Sequence, residues 1–392
     1  MTRPLSALIL SAALMLGAAP GMAHMMHDHN DHQMVEPGTS DRMGGPGDHG
    51  GHHGGHRRGD HGGHHHGHGP IGVMGNHVMP RGKFMLSYRF GRMEMSGLRF
   101  GTNDLSADRA TNIPNRFAGM PGMPPTLRVI PHEMSMTMHM FGAIYGATDR
   151  LTLMAMLPYV RKDMTMITYQ GPTGTTVLGR SKVSTEGLGD IRIAGTYGLY
   201  NAGRTSLTAT LGLSLPTGSI TEKGRMLSPM NMRHTRRLGY NMQLGSGTFD
   251  LYPALSYQSG KGKTGWGGQV SGIIRLGEND EGYARGNEAA LTAWISYRAA
   301  PWVSLSGRIE GRHVGKIDGI DRQIMGPAPG ANPDFIGGDS VTLFAGADFS
   351  PQRGALKGHR IGLEIGVPVY EDLNGPMLRR DWQLALAWRK GF

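Results

Sequence analysis

From residue 82 to the carboxy-terminus, apolar side chains recur at every second position in segment after segment. No stretch of the chain is long and apolar enough to cross a bilayer as a helix, which takes about 20 residues. The final twelve residues show the pattern in its clearest form. Trp382, Leu384, Leu386 and Trp388 fall on one face of a strand, Gln383, Arg389 and two alanines on the other, and the chain stops on Phe392. A strand with one apolar face and one polar or small face is what a membrane barrel needs, because one face meets lipid and the other a lumen.

Twelve such segments can be counted. Phe84, Leu86, Tyr88 and Phe90 begin the series, and a second strand falls at about 134–147. Leu151, Leu153, Ala155 and Leu157 follow, then Ile191, Ile193 and Tyr197, then Leu207 to Leu215. Further segments run near 249–257, 266–276, 291–297, 303–309, 341–349 and 361–367 before the closing strand. Their connections alternate in length. Short turns at 148–150, 201–204, 258–263, 299–301 and 350–357 interleave with longer links near 96–126, 170–184, 216–241, 278–287, 315–338 and 370–379. The expectation is an all-β fold, a transmembrane antiparallel up-and-down β-barrel of about 12 strands, with short turns and both chain ends in the periplasm and long loops outside. A soluble all-β domain with only 38% hydrophobic residues and 63 glycines would have a thin core. In a barrel lipid covers the apolar face, and glycine suits crowded lumen positions.

The amino end agrees with export. Arg3, an apolar run from Leu5 to Leu16 and the small-residue site Gly21-Met22-Ala23 predict a signal peptide over 1–23. The absence of cysteine suits an oxidising envelope and excludes thiolate metal sites and thiol nucleophiles. Residues 24–80 are low in complexity and predict a disordered periplasmic tail rich in His, Met and Gly; 81–392 is the expected barrel. Fourteen of the 19 histidines lie at or before His77. Imidazoles at His24, His27, His29, His32, His52, His53, His56, His64, His65, His66 and His68 are candidate ligands for copper, zinc or nickel. The plainer alternative is a flexible spacer. The net charge of +10 would suggest nucleic acid in a cytosolic protein. After a signal peptide the expected partners are instead outer-membrane lipid, lipopolysaccharide phosphates and the outer-membrane assembly machinery, with no nucleic acid. Lys223, Arg225, Arg233, Arg236 and Arg237 are the loop residues expected to face those phosphates or simply water.

The 28 methionines are not scattered. Met134, Met136, Met138 and Met140 occupy alternate positions, as do Met93 with Met95, Met154 with Met156 and Met164 with Met166. At strand spacing each set shares a face. Met85, Met93 and Met95 fall on the lumen side of the first strand, and Met154 and Met156 oppose the outward leucines of the third. The second strand depends on its turn. If the turn is Thr148-Asp149-Arg150, Tyr145 pairs with Leu153 and the methionines face inward; if Ala147 joins the loop, the register slips by one and they face lipid. The inward register gives Phe141, Ala143 and Tyr145 a coherent lipid face and turns His139 outward. The lumen would then carry a methionine wall, with Met226, Met230, Met232 and His234 near the outer mouth. Thioethers prefer copper(I) or silver. Flexible filler inside a small barrel is the competing reading.

Tyr145 to Leu153, reading YGATDRLTL, with Leu157-Pro158-Tyr159 after it, resembles the hairpin of outer-membrane transporter-like barrels associated with the meta-pathway of phenol degradation. Gly187-Leu188-Gly189-Asp190 and Leu215-Pro216-Thr217-Gly218 are similar to that family's next hairpin segments, and the resemblance covers most of 82–392. It implies a barrel channel, and among its methionine-rich members it implies copper or silver handling. Two cargo classes therefore stand: soft metal ions, or small hydrophobic and aromatic molecules. No cofactor is required in either. His139, His234 and His313 show no linked serine and acid, so enzymatic chemistry of the phospholipase type is not expected. Asp190, Arg192, Asp250, Arg275, Arg298, Arg308, Glu310 and Glu364 fall on lumen faces, where pairing offsets the cost of burying charge.

Overall fold

The computed structural model describes residues 69–392. The signal peptide and the eleven candidate histidines from His24 to His68 lie outside the described residues. Twelve elements build the wall: β1 (Phe84–Gly101), β2 (Val129–Gly146), β3 (Leu151–Tyr169), β4 (Val177–Leu188), β5 (Arg192–Ala202), β6 (Thr205–Ser214), β7 (Phe249–Lys261), β8 (Thr264–Leu276), β9 (Glu288–Ala300), β10 (Val303–Val314), β11 (Gly338–Phe349) and β12 (His359–Gly391). Every pairing is antiparallel, and eleven of these elements close a ring in which β12 joins β11 on one side to β1 on the other.

Two elements depart from one strand, one stave. β4 pairs with the upper half of β3 and β5 with its lower half, so together they form a single stave broken near 189–191. β12 pairs with β11 as far as Leu373 and with β1 beyond it. It also touches itself: Trp388 Nε1 donates to His359 Nδ1 at 3.0 Å, and Arg380 meets Glu371 at 3.0 Å. Its two halves are thus antiparallel staves, and twelve staves circle the lumen. The expected links at 170–184 and 370–379 are mostly strand. Alternation weakens there because the wall rises above the apolar belt and its outward face turns polar.

Phe141, Tyr145, Leu153, Leu211, Ile295 and Leu343 are exposed on the outside, while their chain neighbours Met140, Met154 and Trp294 are buried. An apolar surface of this extent must be covered, and in a closed barrel lipid covers it. Among the described residues no helix is long and apolar enough to cross a membrane. Short turns crowd one end, two of them two-residue loops opened by Gly203 (φ +59°) and Gly262 (φ +58°), a conformation that suits glycine. Tyr145 pairs with Leu153, so the methionines of β2 take the inward register. His139 points out and its Nδ1 lies 2.8 Å from the Tyr88 hydroxyl, which satisfies a polar atom on the lipid side. The barrel closes where β1 meets the end of the chain, from Met85–Gly391 to Glu94–Trp382, and Phe392 N donates to Phe84 O at 2.8 Å.

One boundary of the tail is corrected by the structure. Composition assigns residues 69–80 to the tail, yet they lie inside the lumen, with Ile71 and Val73 buried. Their backbone is fastened around the ring. Gln269 Nε2 donates to Met74 O and Thr208 Oγ1 to Gly75 O, each at 2.7 Å, Met79 N donates to Thr152 Oγ1 at 2.7 Å, and Arg89 reaches Ile71 O. Gly72 and Gly75 carry no side chain where the wall comes closest.

Candidate functional site

The long strands β1 to β3, with β4 paired to the upper half of β3, raise one side of the wall above the belt. On that raised wall Met95 lies directly opposite Met134, Met134 opposite Met164, and Met164 opposite Val183. Directly opposed residues share a face with Cβ atoms about 5 Å apart, so three thioethers stand in a row across three strands. The loops supply the facing wall. The hairpin of 223–227 with 233–237 brings Met226 and Leu238, residues 240–242 bring Met242, the loop before β11 brings Ile324 and Met325, and the bend of β12 brings Met377 and Leu378. Together they enclose a cavity of about 680 Å³. Met134, Met166, Val183, Leu238 and Met242 form its buried apolar lining, with Met95, Met164 and Met226 packed against them.

The loops are held over this cavity by polar clamps. Arg128, fully buried, donates from Nε to Gly171 O (3.0 Å), from Nη1 to Gly174 O (2.7 Å) and from Nη2 to Gln170 O (2.8 Å). Lys162 Nζ donates to Asn241 O at 2.8 Å and Gln243 O at 2.6 Å. The basic loop pattern predicts that Arg237 faces lipopolysaccharide phosphates or water with its neighbours. It is instead buried against Asp321 and Glu281, each at 2.7 Å. Beside it Tyr240 and Tyr283 meet edge to face at 4.9 Å, and burial pushes the Tyr240 phenol up to about 12. Lys223, Arg225, Arg233 and Arg236 are exposed as expected.

Below the cavity the lumen is charged and paired. Arg312, which lines the cavity, meets Glu288 and Glu310 at 3.2 Å. Arg275 binds Asp250 at 2.5 Å and Glu288 at 3.0 Å; Arg308 binds Glu310 at 2.8 Å and Glu364 at 2.9 Å. Arg192 stacks over Tyr252 instead, 4.4 Å from the ring centre. Asp190 serves the long loop 215–248, accepting from Gly218 N at 2.9 Å and Ser246 N at 2.7 Å. Arg298 sits at the short-turn end, its backbone N bound to Lys263 O.

The methionine wall is therefore not one ladder. Met95 and Met134 belong to the upper cavity. Met85, Met140, Met154 and Met156 line a separate space of about 50 Å³ against the inserted segment 69–80. Met93 and Met136 oppose each other and Met138 faces Gly91; none of the three lines either space. The alternation places side chains on a face, but what stands across the lumen at each height decides their company. Met123, Met242 and Met325 complete the upper cavity and escape the strand pattern because loops carry no period, and Met377 joins them from the bend of β12. Among the described residues no group of three or more His, Asp or Glu side chains is arranged to hold a metal ion.

A protein-family model described as "Putative MetA-pathway of phenol degradation" matches residues 132–323. An outer-membrane channel of Pseudomonas putida F1 superposes with a TM-score of 0.51 at 12% identity, over 81% of this chain and 98% of that one. The chain has the fold of an outer-membrane β-barrel channel. The toluene transporter TbuX of Ralstonia pickettii superposes more loosely, with a TM-score of 0.41 at 13% identity over 80% of this chain and 90% of that one, so the fold assignment rests on the first. A search of curated proteins finds no match.

Proposed function

We propose that this barrel is an outer-membrane channel that binds and passes small hydrophobic or aromatic molecules. The observation that carries the reading is the methionine-lined cavity of about 680 Å³ beneath the long loops. Its size falls within the range of small-molecule sites, and its lining is apolar with a few charged groups at the edge. Thioether sulfur makes favourable contacts with aromatic rings, and the unbranched side chain adapts to ligands of different shape. The match to a family described by phenol degradation agrees with an aromatic cargo. On this reading the short turns face the periplasm and the cavity is the outer vestibule.

Copper or silver as the main cargo has less support, since neither the family description nor the cavity lining favours an ion over an apolar guest. Uptake of radiolabelled toluene into proteoliposomes, compared with the polar solute glucose, tests the proposal. Toluene should enter several-fold faster than in protein-free liposomes and glucose should not. Filling the cavity with Met134→Trp should remove most of the toluene flux; equal flux from both forms would overturn the assignment.

A further inference from the structure

We propose that Met95, Met134 and Met164 form a binding site for a soft monovalent cation, silver(I) or copper(I), within the same cavity. The site is distinct from the cavity's use by apolar molecules and does not depend on it. Met134 is the cross-strand partner of both Met95 and Met164, so the three stand in a row on one face of β1, β2 and β3. Met95 and Met164 are each rooted about 5 Å from Met134 and about 10 Å from each other; methionine's three rotatable bonds let the outer two lean inward and bring all three sulfurs onto one ion above Met134. Met166 and Met226 pack in the same cluster and offer further thioethers.

The donor set selects the ion. Neutral thioethers favour soft cations over calcium, magnesium and zinc, which prefer oxygen or nitrogen ligands; of the carboxylates that line the same cavity, Glu371 is held by Arg380 and Asp339 by His313. The chain has no cysteine, so no thiolate competes for the metal. Thioethers carry no proton to lose, which separates this site from any imidazole site in the chain: binding here persists at pH 5, where ordinary imidazoles are protonated and withdrawn.

The test is isothermal titration of silver nitrate into the full chain, folded in detergent at pH 5 in chloride-free buffer. The comparison is M95L/M134L/M164L, whose leucines keep the cavity apolar. The wild type should show a saturable site that the triple variant loses or weakens at least tenfold, with the variant's β-sheet circular dichroism unchanged. Equal silver binding in both would overturn the site. X-ray absorption at the silver edge supplies a second reading that needs no variant: a shell of sulfur neighbours supports the proposal, and a shell of oxygen or nitrogen alone sinks it. If toluene uptake fails in the wild type while silver binds, the channel reading falls and the metal site stands.

Discussion

Arg308 and Glu364 form a two-point pair inside the barrel, Nε to Oε1 at 2.9 Å and Nη2 to Oε2 at 3.0 Å, with both side chains buried and the guanidinium 3.5 Å from the centre of the Phe344 ring. A buried pair of this kind contributes little beyond an apolar replacement, but removing Glu364 leaves the buried Arg308 charge with Glu310 as its remaining carboxylate partner and so partly stranded. Glu364→Leu should therefore lower the unfolding free energy by roughly 3 kcal/mol in a urea titration of the refolded barrel. The double variant R308M/E364L should recover much of that loss. Equal destabilisation by the single and double changes would show that the pair itself, and not the stranded charge, matters.

Gly72 sits against this pair. A side chain there would collide with the Glu364 carboxylate and the Arg308 guanidinium. Gly72→Val should push residues 69–80 off the wall and raise single-channel conductance in planar bilayers. Gly391 has open space around it, so Gly391→Ala serves as the control and should leave conductance unchanged. A Gly72→Val channel that conducts like the wild type would mean that the segment does not limit the lumen.

Ile295 lies mid-strand in β9 and is exposed outward, whereas its neighbour Trp294 is buried. Arginine on the lipid face near the bilayer midplane costs about 2–4 kcal/mol. Ile295→Arg should show that loss in lipid vesicles and much less of it in detergent, where the charge can reach water. Equal effects in both media would place residue 295 away from lipid.

Tyr240 gives the long loops a dependence on alkaline pH. Its phenol is raised by burial from 10.0 to about 12, so the contribution of the neutral form is complete below pH 10 and is lost as pH rises through about 12. Near-ultraviolet circular dichroism of the loops should hold steady from pH 7 to 9 and decline between pH 10 and 12. Tyr240→Phe should reduce that decline, and an unchanged profile would assign it to other groups.

How much was legible in the chain follows from the range of each interaction. Alternation in Phe141, Tyr145 and Leu153 set the lipid face, and the turn after Ala147 set the register, because both depend on neighbours in sequence or across one hairpin. The paired lumen charges of Asp250, Arg275, Arg308, Glu310 and Glu364 were also readable, since an inward face in a barrel demands partners. Arg128 was not: its acceptors are the carbonyls of 170–174, which any sequence could provide. Arg237 was misplaced for a related reason, as Asp321 and Glu281 approach it from other loops.

By itself, then, the sequence determined a barrel of about twelve strands, which side chains face lipid, and which methionines point inward, since a period of two is a local property of the extended chain. Only the tertiary structure decided that residues 69–80 turn back into the lumen, that the inward methionines divide between two spaces, and that loop methionines from distant segments close one cavity. Those outcomes depend on what meets across some tens of residues of intervening chain, and no local pattern records that meeting.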